Sequence, residues 1–235
     1  MTFNTNGGTP VAPISASLFS TISKPDSKKG YTLLGWFKDE DCTDEWIFAN
    51  DIVIGNITLY AKWSNTYDGS LTVGDTGPGG GKVFYASSAS FTFYQNANDT
   101  TGVPRHYLEA ALYDHPSAVQ WGNPGILVGT NTTIGSGKRN TDKIMQTFSG
   151  DFAAQACVSK TDGGFKDWFL PSRDELVELW NKRLDVGNFS NSASTFYWSS
   201  SEEIINYVWT QKLSDWAQTT YGTTSTHSVR AVRAF

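Results

Sequence analysis

Two glycine-rich runs, GPGGGK at 77–82 and GSGKR at 135–139, carry the residue types that cradle phosphate. Neither has the spacing. A phosphate loop needs a glycine five residues before its last glycine and a hydroxyl after the lysine, but position 132 is Thr and 139 is Arg. The 77–82 run leads into the apolar KVFYAS, which reads as a strand, so no helix N-terminus would lie under a pyrophosphate; the run reads as a turn. The histidines, His106, His115 and His227, are not at metal-ligand spacing, and no serine stands in a Gly-x-Ser-x-Gly elbow. Cys42 and Cys157 are lone thiols, which make neither a zinc site nor a disulfide framework and read as small buried side chains. No catalytic residue, metal or cofactor is expected.

The chemistry left is that of surfaces. Trp 9, Tyr 10 and Phe 14 stand beside Gly 22 and Pro 8 in 235 residues, so broad packing side chains and turns dominate together, as in a strand-rich globular protein. The net charge of -5, with 18 basic against 23 acidic side chains, leaves no footprint for nucleic acid. No apolar run approaches the ~18 residues that cross a bilayer, and MTFNTNGG lacks the regions of a signal peptide.

The elements that must position any site fall into two groups, divided by the polar stretch 64–73. Before it, the neighbourhood of Phe3, GYTLLGWF at 30–37 and ITLYAKW at 57–63 read as strands separated by turns such as Asn6-Gly7-Gly8. In ITLYAKW the residues Ile57, Leu59, Ala61 and Trp63 share one face, the period of two of a half-buried strand. FNTNGG, GYTLLGWF, the Trp46-x-Phe48 pair and ITLYAKW, in that order, resemble one internalin-type (Listeria–Bacteroides) repeat over residues 1–63. The resemblance implies a small β-grasp module of three or four strands with a short helix, of a kind found in tandem on bacterial surface proteins. Met1 stands where that repeat usually has another apolar residue, which implies a piece of a longer, tethered protein, so the missing signal peptide does not count against secretion.

From residue 74 onward come GDTGPGGG, the strand KVFYAS, HYLEAALY and a polar connection through WGNPG and GTNTTIGSGKRN. Helices follow: Asn140 or Thr141 is positioned to cap TDKIMQTF, and Asp151 to cap DFAAQACVSK, with Met145, Phe148, Phe152 and Ala156 on one apolar face. In PSRDELVELWNKR, Ser172 and Glu175 form a capping box and Leu176, Leu179, Trp180 and Leu184 fall on one side, so a helix spans about 172–184. FYWSSSE, YVWTQKL, WAQTTYG and SVRAVRAF then read as strands. GDTGPGGGKVFY, YLEAA, QWG, IGSGKRNTDKI, DWFLPSRDEL, YWSSSE and VRAVRAF, in this order, are similar to the family of the C-terminal domain of the Legionella collagen-like adhesin, over residues 74–235.

That resemblance implies an α+β, C-type-lectin-like domain: two main helices flanking antiparallel strands, the first and last strands paired. The whole chain would be a β-grasp repeat, a 64–73 linker and this domain. It implies a non-catalytic, extracellular module of the bacterial cell surface that binds a host or environmental glycan or protein. The calcium-binding triplets of lectins of this fold, such as Glu-Pro-Asn and Trp-Asn-Asp, do not occur. In such folds the loops before the last strand form the binding face, here 185–228. Trp209, Trp216 and Tyr221, with Tyr207, Gln211 and Asp215 as polar neighbours, are the candidate ligand contacts, because Trp and Tyr offer flat apolar faces with a polar edge. Strand core is the competing reading for Trp198 and Trp209. The adhesin relative implies sulfated polysaccharide, for which Lys138, Arg139 and Lys143 form the basic cluster. Arg230 and Arg233 read as structural partners of Asp167, Asp174 or Glu175. Two other readings stand beside adhesion: a structural spacer or variable display scaffold, and an enzyme on the formylglycine-generating type of this fold.

Overall fold

The computed structural model describes residues 1–6, 11–15, 31–67, 71–190 and 194–235. They form two compact units, Met1–Leu71 and Thr72–Phe235. In the first, β1 (Thr2–Asn4) runs parallel to β3 (Thr58–Tyr67), and β2 (Tyr31–Phe37) pairs antiparallel on the other side of β3. The alternation in ITLYAKW sets the faces: Leu59 and Ala61 are buried with Leu33, Trp36, Trp46 and Val53, and Lys62 is exposed. Phe3 meets Trp36 edge-on, with ring centroids 5.1 Å apart. The strand β3 continues through Tyr67, into the stretch read as linker. Its apolar alternation ends at Trp63, but its backbone goes on pairing with β2, and Ser64 Oγ accepts a bond from Thr32 N at 3.1 Å. The expected short helix does not occur among the described residues of this unit. Gly7 and Gly8 of the expected turn lie outside them.

The second unit is α+β. Strands β4 (Lys82–Phe93) and β5 (Val103–Ala110) form a long hairpin, and β6 (Val119–Gln120) follows. Helices α1 (Gly137–Thr147), α2 (Ala153–Val158), α3 (Arg173–Asn181) and α4 (Arg183–Val186) precede β7 (Phe196–Ile204), β8 (Tyr207–Lys212), β9 (Gln218–Gly222), β10 (Thr226–His227) and β11 (Val232–Ala234). The sheets are β11-β5-β4, β7-β8-β9 and β10-β6, all antiparallel. Two apolar cores result. One gathers Trp121, Trp168 and Trp198 with Ile144 of α1, Phe148 just after it and Cys157 of α2; the other gathers Phe84, Leu108, Phe169 and Tyr197 with Leu176 and Leu179 of α3.

Strand pairing departs from the expectation at one point. The last strand, β11, pairs with β5, the second strand of this unit, and not with β4, the first. A buried ion pair fixes this: Arg233 stands opposite Glu109 in the β11–β5 register, and its Nη1 lies 3.0 Å from Glu109 Oε1. An unpaired charge in that position would carry a desolvation cost of several kcal/mol.

Helix boundaries show a second departure. The capping box at α3 is present as expected, with Ser172 accepting from Glu175 N and Glu175 accepting from Ser172 N. That helix stops at Asn181, so Leu184 falls on α4 with 87% exposure, off the apolar face assigned to it. Asn140 and Thr141 are not caps: α1 starts at Gly137, and both side chains are buried inside it. Asn140 Oδ1 and Nδ2 tie down Asn131 N and O, at 2.9 and 2.6 Å. Asp151 is exposed, and the N-cap of α2 is Phe152.

The start of α1 has its acceptor on another helix. Glu175 Oε1 receives Gly135 N at 2.8 Å and Gly137 N at 3.4 Å, which satisfies donors that a local cap would otherwise serve. A β-carbon on Gly137 would stand 2.2 Å from Glu175 Oε2 and 2.7 Å from the Phe169 ring. Alanine in place of an exposed helical glycine stabilises by about 1 kcal/mol. Here Gly137→Ala should instead destabilise by about 1 to 3 kcal/mol through overpacking, read as a lower urea midpoint at unchanged m-value.

Candidate functional site

The two glycine-rich runs bind anions, and the anions are the protein's own glutamates. Gly79 N donates to both oxygens of Glu109 at 2.9 and 3.1 Å, and Gly81 N to Oε2 at 3.1 Å. A β-carbon on Gly77, Gly79 or Gly81 would come within 2.4 to 3.2 Å of that carboxylate. The alternate glycines are therefore there for close approach as well as for the turn. GSGKR closes on Glu175 in the same way. A third glutamate, Glu202 on β7, holds the long polar connection: its carboxylate accepts Val128 N and Gly129 N, each at 2.9 Å, and Thr130 N at 3.3 Å. The serines of YWSSSE are equally internal. Ser199 Oγ donates to Trp209 O at 2.7 Å, Asn140 Nδ2 donates to Ser200 Oγ at 3.1 Å, and Ser201 Oγ donates to Asn131 O at 2.7 Å.

The six aromatic and polar candidates do not converge on one site. On β8, Tyr207, Trp209 and Gln211 share a face, and α3 lies along it. The Arg173 guanidinium stands 5.5 Å from the Trp209 ring, Gln211 is fully buried, and Trp216 meets Trp180 of α3 edge-on at 4.6 Å. Trp209 and Trp216 seat the helix, while the Gln211 amide bonds Lys212 O and Ala217 O in the β8–β9 turn. Tyr221 is opposite Val208, on the other face, where it packs against His227 at 4.3 Å and Phe196 at 5.1 Å. That cage buries His227, whose imidazole is pushed down to about 4. Asp215 pairs with Lys212 at 2.7 Å. Trp216, 55% exposed, and Tyr207, 47% exposed, keep free surface near opposite ends of β8, a strand about 17 Å long.

The basic cluster is also committed internally. Lys138 Nζ pairs with Asp142 at 2.5 Å, Lys143 Nζ donates to Gly129 O at 2.7 Å, and the Arg139 guanidinium lies 3.7 Å from the Tyr94 ring centre. Of the partners expected for the last-strand arginines, Asp167 is present on Arg233 at 2.5 Å, beside Glu109. Arg230 pairs with Asp114 at 2.6 Å and not with Asp174, which binds Arg173. Cys157 is buried in the first core, where burial pushes its thiol up, and Cys42 is buried and shifted the same way.

What the candidates do reveal is a built surface around Tyr207. Gly125 N donates to Asn206 Oδ1 at 2.5 Å, and Glu202 holds Val128 and Gly129. Between these ties the connection presents Ile126 and Leu127, and the β7–β8 turn presents Ile204, Ile205 and Tyr207, all exposed. Five large exposed apolar side chains thus lie on the 125–129 connection and at the adjoining β7–β8 turn, which these bonds hold together. The sequence signal was available as IleLeu after a Gly and IleIle before an Asn, both in polar surroundings. Periodicity does not register pairs confined to loop tips.

The Listeria–Bacteroides repeat domain profile matches residues 1–62, and the Lcl C-terminal domain profile matches residues 111–233, more than half of the chain. The chain belongs to the Lcl C-terminal domain family. The Lcl match begins after β5, so the β4–β5 hairpin, whose Glu109 anchors the domain's last strand, lies outside the matched segment. Two proteins of Evansella cellulosilytica, described by name as a membrane protein and a Gly-rich membrane protein, are 44% and 40% identical to this chain over 71 and 74 residues. Those stretches are 29% and 30% of this chain, and the chain spans about a tenth of the relatives' length, 11% and 9%. A crystal structure of a fimbrial protein from Bacteroides ovatus resembles this structure with a TM-score of 0.50 at 14% identity, covering 99% of this chain and 68% of that one. At that identity the likeness is one of fold.

Proposed function

We propose that this chain is a non-catalytic recognition module of a bacterial surface protein, its Lcl domain folded in the C-type-lectin-like manner and docking a partner protein through the Tyr207 end. The observation that carries the reading is the exposure of Ile126, Leu127, Ile204, Ile205 and Tyr207 on two segments that the Gly125–Asn206 and Val128–Glu202 hydrogen bonds join. A contiguous exposed apolar patch on a folded domain marks an interaction site, and fixing both loops beforehand lowers the ordering cost of docking. Three isoleucines and a leucine suit the apolar centre of a protein interface better than a glycan, whose hydroxyls ask for hydrogen-bonding groups. The fimbrial designation of the Bacteroides ovatus protein and the membrane designation of the Evansella relatives support a place at the cell surface, as does the adhesin family itself. Helices α1 and α3 beside antiparallel sheets support the lectin-like fold.

The test is an array of host matrix proteins and glycans probed with the full chain and with the Ile205→Asp, Tyr207→Asp double variant. Both positions are exposed, so the thermal midpoint should stay the same while capture by a protein spot falls about a hundredfold, the loss of roughly 2 to 3 kcal/mol of apolar burial. Equal capture by both proteins would remove this end as the docking surface, and capture by neither would favour the spacer reading.

A further inference from the structure

We propose that a second site, a cleft between the β5–β6 connection and α2, takes one uncharged saccharide unit. The cleft encloses about 550 Å³, within the range of small-ligand sites. Its floor is apolar, from Phe152, Ala156, Val229 and Ala231. Its rim is polar: Tyr113, Ser117, Asp151 and Gln155. An apolar floor inside a ring of hydrogen-bonding groups matches a pyranose, which has a C–H face and a girdle of hydroxyls.

The charges of the walls say which saccharide. The Asp114 carboxylate accepts from Arg230 and from the Tyr197 hydroxyl, each at 2.6 Å, and Lys160 is paired with Asp162 at 2.8 Å. Lys160 is the one lysine of the cleft and already carries an ion pair, while Asp151 adds an unpaired negative charge that disfavours a sulfate or carboxylate. The groups left uncommitted among the described residues are acceptors and neutral donors. The Asp151 carboxylate and the Tyr113 hydroxyl make no bond, and Gln155, whose Nε2 binds Ser159 Oγ at 2.7 Å, keeps its Oε1. His115 Nδ1 is tied to Ser117 O at 2.9 Å, which leaves Nε2. Tyr113, 67% exposed on the rim, offers a ring for stacking on the C–H face.

Ligand-observed NMR and calorimetric titration of the full chain test this with methyl glucoside, methyl galactoside and N-acetylglucosamine as uncharged probes and a sulfated disaccharide as the charged one. At least one uncharged probe should bind with a Kd of about 1 mM or tighter, and Tyr113→Ala and Gln155→Ala should each weaken it about tenfold. Both substitutions are at accessible positions, so thermal midpoints should hold. Ile205→Asp should leave saccharide binding unchanged, which separates this site from the docking end. Tighter binding of the sulfated probe, binding that survives both cleft substitutions, or no binding of any uncharged probe would each overturn the proposal.

Discussion

Replacing Glu109 should cost the fold about 3 to 5 kcal/mol, whether the new residue is alanine or glutamine. The carboxylate is fully buried, receives Gly79 N and Gly81 N, and faces the Arg233 guanidinium at 3.0 Å. Alanine leaves two backbone donors and a guanidinium group without their acceptor, and Arg233 itself is nearly buried, keeping only Asp167. Glutamine fits the space but turns an NH2 group toward donors, so one contact becomes donor against donor. Burial raises the Glu109 carboxyl above its ordinary range against the pull of Arg233 and the glycine N–H groups. The charge is costly to hold, and costlier still to orphan once its partners are built. Urea denaturation followed by tryptophan fluorescence reads the effect. A loss under 1 kcal/mol for Glu109→Gln would show that this cluster does not anchor β11.

The second large effect lies in the pH profile. Burial raises the Glu175 carboxyl from 4.5 to about 7, against hydrogen bonds from Ser172 N, Gly135 N and Gly137 N. Between those two values the native state holds a proton that the unfolded chain has released. Its contribution is therefore full below about pH 4.5 and is lost as pH rises through 7, a change of roughly 3 kcal/mol. His227 acts in the opposite sense. Its imidazole is lowered from 6.5 to about 4, so the unfolded chain takes up a proton that the native state refuses, and stability falls as pH drops through that window. Glu109, raised like Glu175, is present in both proteins compared and cancels in their difference. In Glu175→Gln the falling contribution of Glu175 disappears, so the stability of the variant relative to the parent should rise with pH between about 4.5 and 7, while His227 and Glu109 act alike in both. Urea midpoints of both proteins across that range check it. Parallel profiles would mean that Glu175 does not change protonation on folding.

The elements of the chain were largely legible because each rests on a local pattern. ITLYAKW alternates, and it is β3; Ser172 with Glu175 makes a capping box, and α3 begins there. Boundaries set by distant partners were not legible. Asn140 looks like a cap, yet α1 starts three residues earlier because Glu175, far along the chain, supplies an acceptor at its first turn. Trp209, Gln211 and Tyr221 look like a loop site, yet they are spent on α3, on the β8–β9 turn and on the His227 cage.

By itself the sequence determined the two families, the α+β composition, the strand segments and the lack of phosphate-loop spacing, since all of these follow from residue types at short range. Only the tertiary structure decided what the glycine runs bind, which strand β11 joins and where exposed apolar surface collects. Those outcomes depend on groups more than twenty-five residues apart, such as Gly79 with Glu109, Glu109 with Arg233, and Gly125 with Asn206. A buried charge or an unmet backbone donor is satisfied by whatever the fold brings near, and short-range spacing does not encode that.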